Sequence, residues 1–164
     1  MSLQSICQAI SDSSIGTQLR ESTYLWPAVE ATHVLSLALS VGTIVLVDLR
    51  LIGATMRNES VTDVIEQTQP YTIAGFTLAF ISGFILFWSE AGRLYPSYSF
   101  RFKLVFIALL GINALVFHST IYKSVDKWNK WAITPPRARF AGWFGLIFWM
   151  LVIFLGRWTA YNLK

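Results

Sequence analysis

The chain has 164 residues, 54% of them hydrophobic and only 13% charged, with a net charge of +4 and a mean hydropathy of +0.52. Soluble domains carry about 25% charged residues, so this composition excludes an ordinary soluble domain and predicts a single integral membrane domain over 1–164. The basic residues fall between apolar stretches and not in one stripe, which excludes nucleic acid as the expected partner, while a lone Cys7 excludes an intrachain disulfide, an iron–sulfur cluster and a Cys-rich zinc site within one chain.

Met1 to Glu21 has neither the basic start nor the long apolar core of a secretory signal peptide. Leu3, Ile6, Cys7 and Ile10 fall on one helical stripe, which predicts a short amphipathic helix on the membrane surface, broken by Ser11 to Gly16, with Cys7 packed into the stripe. The first span is expected over about 26–52. Ser22 or Thr23 can cap it, Trp26 suits the headgroup level, and Pro27 fits a first helical turn. Its middle, Val34 to Val47, is uncharged, and a span needs about 20 mostly apolar residues. Asp48 and Arg50 read as interfacial charges at its far end.

A polar loop is expected from Arg57 to Gln69, closed by Pro70, before a second span over about 71–88. Gly75, Ala79 and Gly83 stand four apart on it, a small-residue stripe that lets another helix approach closely. Glu90 and Arg93 close this span, and Pro96 marks a turn. The third span is expected over about 102–122, with Asn113 bonding across to another helix and His118 near the end. A basic loop with Trp128, Trp131, Pro135 and Pro136 leads to the fourth span, about 140–158. Four spans joined by short polar loops predict an all-α antiparallel four-helix bundle in the membrane, because backbone groups in lipid must bond internally.

Two ionisable residues, Glu30 and His33, lie inside the first span, three apart and so on one face. Such groups in a membrane helix usually face a bundle interior or a polar cavity and mark a functional site. The dense run Lys123, Lys127, Lys130, Arg137 and Arg139 favours that loop as cytoplasmic, against Arg20, Arg93, Arg101, Lys103, Arg157 and Lys164 on the other side. Both termini would then be periplasmic in a bacterial inner membrane. His33 and His118 would differ in depth by roughly 15 Å, which argues against one haem held by both. Level with His33, the charges Glu30, Glu90, Arg93, Lys103 and Arg157 predict a polar pocket at the outer mouth of the bundle.

Trp26, His33 and the apolar run ending in Asp48–Leu49–Arg50–Leu51 resemble the first helix of the small four-helix membrane type of protoporphyrinogen oxidase. Lys103 to His118, KLVFIALLGINALVFH, is similar to that family's Lys-Leu-started helix. The helix pattern is also similar to that of copper-resistance D-like membrane proteins. The stretches HVLSLA, VDLRLIG and GRWTAY resemble those of an uncharacterised bacterial family with four spans. In the oxidase family a first-helix histidine and a lysine are associated with haem binding and activity, and by motif these fall on His33 and Lys103.

The resemblance implies haem b, with His33 as its iron ligand. The residues around it read as further cofactor contacts: Glu30 to orient the ring, and Lys103, Arg93 and Arg157 for the propionates. His118 stands as a further cofactor candidate at the other end. The expected activity is electron transfer or porphyrinogen-type oxidation, which leaves open whether the chain is itself an enzyme. The alternatives are an accessory subunit without catalysis, or a small transport or metal-handling protein. Besides the lipid bilayer, the expected partner is a second copy of the chain or a larger membrane complex.

Overall fold

A computed structural model describes residues 2–162; Met1, Leu163 and Lys164, the last of these counted above in the charge balance, lie outside the described residues. All regular structure among them is helical. A short N-terminal helical hairpin, α1 (Leu3–Ser11) and α2 (Ser14–Glu21), precedes α3 (Leu25–Ile52), α4 (Val61–Leu94), α5 (Tyr98–Val116) and α6 (Pro136–Asn162). A π-turn (Phe117–Ile121) and a 3-10 turn (Tyr122–Lys127) extend α5. Four segments are long and apolar enough to cross a membrane: Leu25–Ile52, Val61–Leu94, Tyr98–Lys127 and Pro136–Tyr161. They form an antiparallel bundle with a hairpin end, where α1 and α2 lie, and a loop end, where α3 joins α4 and α5 joins α6.

Local chemistry sets the helix limits. Ser22 Oγ accepts from Leu25 N at 3.0 Å and starts α3. Gly53, at φ 75°, ends it: the Gly53 and Ala54 amides return to the carbonyls of Arg50 and Leu49. A side chain at that left-handed position would be strained, so glycine suits it.

The expected loop from Arg57 to Gln69 is largely helix. Ser60 Oγ accepts from Asp63 N at 3.1 Å and starts α4 ten residues ahead of Tyr71. The missed signal is the spacing of Val61, Val64 and Ile65, all buried, behind that capping serine. Pro70 sits inside the helix, exposed, in its polar first turns. The hydrogen bond it removes is lost where water can reach the freed carbonyl, so the helix continues.

The N-terminal segment is also more structured than expected. The break after α1 covers only Asp12 and Ser13, and α2 begins at once, with Ser13 Oγ accepting from Gly16 N at 3.2 Å. The hairpin docks on α4 at a defect. Glu90 leaves helical geometry there (φ −120°, ψ 16°), and Ser89 O accepts from Ser11 Oγ at 2.9 Å and Arg20 Nη1 at 2.8 Å. Trp88 Nε1 donates to Ser13 Oγ at 3.2 Å. α1 is therefore a tertiary element packed on α4, with Leu3 and Ile6 left exposed and Cys7 half-buried.

Within the bundle α3 packs on α4 and α6, and α6 on α5. The small-residue stripe of α4 faces α3. A Cβ added to Gly75 would come 2.8 Å from Ser40 N, and one added to Gly83 would come 2.9 Å from the His33 ring. Ser36, Ser40, Ala79 and Ser82 are buried along this seam. α6 presents its own small residues to α3: Ala138, Ala141, Gly142 and Gly145 are buried, and a Cβ on Gly142 would lie 2.9 Å from Asp48 O. Asn113 Nδ2 donates to Ala141 O at 3.2 Å, the cross-helix bond expected of it. At mid-bundle Val41, Leu110, Trp149 and Val152 form a core, with Phe76 stacked on Trp149 at 5.6 Å.

The loop end is sealed by residues 128–134. Asn129 caps α4, taking the Val61 amide on its carbonyl and the Thr62 amide on Oδ1 at 2.9 Å. Arg50 is wholly buried here, not an interfacial charge as its place in the sequence suggested. Its Nε donates to Glu59 O at 2.9 Å and its Nη2 to Trp131 O at 3.1 Å and Asn129 O at 3.5 Å. Thr134 Oγ1 donates to Leu51 O.

Candidate functional site

The residues around His33 and Lys103 come from all four spans. His33 lies two turns into α3, roughly 12 Å along it at 1.5 Å per residue. Its ring turns into the α3–α4 seam because Gly83 offers bare backbone there, and Nδ1 meets Ser82 Oγ at 3.0 Å. Ser82 Oγ in turn donates to Leu78 O at 2.6 Å. With its proton committed to a carbonyl, the hydroxyl accepts from Nδ1–H, which fixes the ring's tautomer and orientation. Lys103, from the first turns of α5, is half-buried, and its ammonium is close enough to act electrostatically on the His33 ring. The Lys103 side chain runs past Gly156 of α6, where an added Cβ would lie 3.6 Å from Nζ. A histidine held by a hydroxyl, a half-buried cation and two glycines therefore lie in the hairpin half of the bundle.

The other expected contacts lie elsewhere. Glu30 is exposed and makes no hydrogen bond among the described residues, so Ser82, and not Glu30, orients the imidazole. Three residues along a helix turn a side chain by about 60° from alignment, and here that carries Glu30 to the outer face. Arg93 pairs with Glu90 at 3.2 Å and stays half exposed. Arg157 turns along its own helix, with its guanidinium 4.9 Å from the centre of the Tyr161 ring. His118 is exposed at the opposite end of the bundle, with Nδ1 2.9 Å from Ala114 O. The expected charged cluster thus reduces to His33 and Lys103.

Serine 82 is the residue that sequence reasoning missed. It directly precedes Gly83 of the small-residue stripe, and that adjacency is the signal: a hydroxyl beside the gap which admits the ring. A groove of about 490 Å³ lies at the loop end and is lined by Val116, Thr120, Ile121, Pro136, Arg137 and Phe140. No group of three or more His, Cys, Asp or Glu residues able to hold a metal ion occurs among the described residues. No protein-family model matches the chain, and no curated protein or solved structure matches it.

Proposed function

We propose that the protein binds haem b at the hairpin end of the bundle, with His33 as the residue that would hold its iron, and acts in electron transfer or porphyrinogen-type oxidation. One observation carries the reading: the His33 imidazole turns into the α3–α4 seam with Nδ1 held by Ser82, at the same end of the bundle as Lys103. Histidines that ligate metals are commonly held through the second ring nitrogen, which leaves the other for the iron.

The chemistry of the side chains supports the reading. Nε2 is the nitrogen left to ligate, and Lys103 supplies a cation for a propionate or a second ligand. Gly83 and Gly156 withhold side chains from both. The iron supplies one-electron chemistry; the chain's part is to hold the ring, balance charge and exclude water. The likeness of the first and third spans to the four-helix protoporphyrinogen oxidases supports the same reading.

Visible absorption of the purified protein, oxidised and dithionite-reduced, tests it. A Soret band is expected, lost in His33→Ala while the protein still inserts, kept in His118→Ala, and weakened or shifted in Lys103→Ala. Absence of the band from protein made in haem-replete cells would overturn the reading. Equal loss in the two histidine variants would move the site to one shared by both histidines.

We also assign the chain to a bacterial inner membrane with both termini periplasmic. The support is the basic crowding of Lys123, Lys127, Lys130, Arg137 and Arg139 at the loop end. In a Cys7→Ser background, a cysteine introduced at Lys127 should resist an impermeant thiol reagent added outside. Strong labelling there would invert the topology.

A further inference from the structure

A second ionisable group is buried at the loop end, and the reading at His33 does not use it. Asp48 is 6% exposed, and its Oδ2 has no hydrogen-bond partner among the described residues. The carboxyl fills the α3–α6 seam against Gly145: a Cβ added there would collide with Oδ2 and lie 2.8 Å from Cγ and 3.0 Å from Oδ1. Gly145 is what makes room for the acid.

Among the described residues neither an ion pair nor a hydrogen bond reaches the carboxyl, and Arg50 Nη1, also buried without a partner, does not bond it. Arg50 follows two residues later, about 200° round the helix, and donates to the carbonyls of Glu59, Asn129 and Trp131. From α6 the facing positions are Gly142 and Gly145. The polar group that α5 sends to α6 nearby, Asn113, gives its amide to Ala141 O. From α4, Val61 and Ile65 enter the apolar cluster with Leu51 and Ala141. Among the described residues the one ion pair is Arg93–Glu90, so no charged side chain pairs with the carboxyl. Trp128 and Thr134, both buried, help to close the end above.

An ionised carboxylate in this seam would lose its hydration and gain no donor or counter-ion. That costs far more than taking up a proton, and isolated acids in such places neutralise. We propose that Asp48 is a proton-binding site of the bundle: the carboxyl holds a proton at neutral pH and exchanges it with water only when the α3–α6 seam or the 128–134 loop opens. The step moves one proton between water and a carboxyl oxygen, with no electron transfer. By helical rise the site lies roughly 22 Å along α3 from His33, and it stands or falls apart from the haem reading.

Infrared spectroscopy of the full chain in lipid vesicles at neutral pH reads the protonation state directly. The expected result is a C=O stretch of a protonated carboxylic acid that disappears in Asp48→Asn. No such band, or a band that Asp48→Asn leaves in place, overturns the proposal. If Asp48→Asn fails to insert, the unaltered chain is treated with the lipid-soluble dicyclohexylcarbodiimide; the O–H of a protonated carboxyl adds across its C=N bond, and the acylisourea rearranges to a stable N-acylurea. Mass spectrometry should then find the adduct on the Asp48 peptide. An adduct confined to other acids, or no adduct, overturns the proposal.

Discussion

At the hairpin end His33 enters the α3–α4 seam with a hydroxyl on one nitrogen and an ammonium nearby. At the loop end Asp48 enters the α3–α6 seam with neither, while Arg50, two residues away, is wholly buried among backbone carbonyls. Glycine admits the side chain in both places: Gly83 beside the imidazole, Gly145 beside the carboxyl. The difference lies in what the neighbouring helix supplies next to the gap. α4 offers Ser82 beside Gly83, whereas α6 offers the apolar Leu146 beside Gly145. A small residue on a membrane helix therefore lets an ionisable group in, and its neighbour helps to decide whether that group finds a hydrogen-bond partner.

The largest effect should come from the clamp at the loop end. Arg50→Ala removes bonds from a charged donor to three carbonyls, at about 1.5–3 kcal/mol for each good one. A loss of about 3–5 kcal/mol is expected, with the 128–134 loop becoming a protease site. Unchanged melting in detergent and an uncut loop would show that Arg50 does not hold that end together.

The next largest effect is expected from Gly75→Leu. The added side chain meets the Ser40 backbone, which cannot swing away, and overpacking of this kind costs about 1–3 kcal/mol. Gly83→Leu should cost less stability, because the obstacle is the rotatable His33 ring, but it should displace that ring and with it any Soret band. If the two variants melt alike and the spectrum is untouched, the stripe faces lipid and the comparison of the two seams fails.

A smaller change, about 1 kcal/mol, is expected for Ser82→Ala, which takes the partner from Nδ1. Its more telling readout is spectroscopic: a shifted haem potential or loosened haem with the fold retained. An unchanged potential would mean that the hydroxyl does not orient the ring. His118→Ala should lie within about 0.5 kcal/mol of the parent, as exposed substitutions do. A large loss there would show that the loop end has a histidine site of its own.

How far the sequence could be read differs from residue to residue. His33 and Lys103 were legible as partners because motif resemblance and helix polarity place both near the same end of parallel helices. Glu30, Arg93 and Arg157 share that depth yet face outward or pair within their own helix. Depth follows from position along the chain; direction around a helix depends on which neighbour packs there. Asp48 and Arg50 show the same limit from the other side. Each looks like an ordinary charge at a span's end, and only the docking of α6 and of the 128–134 loop makes them interior.

The sequence by itself determined the class and the count: composition demands a membrane, and four apolar stretches make four spans, because hydropathy is local and adds up along the chain. It also placed the end of the first span near Ile52 and marked the close seam along Gly75, Ala79 and Gly83, since hydropathy and side-chain size are properties of single residues. The tertiary structure decided that α4 starts at Val61 and runs through Pro70, where packing of Val61, Val64 and Ile65 outweighs a lost bond near water. It decided that the N-terminal hairpin docks on the broken turn at Glu90, that Ser82 and not Glu30 holds His33, and that Asp48 is buried without a partner. Each of these depends on a group brought in from another helix or loop, and no local pattern carries the identity of that group.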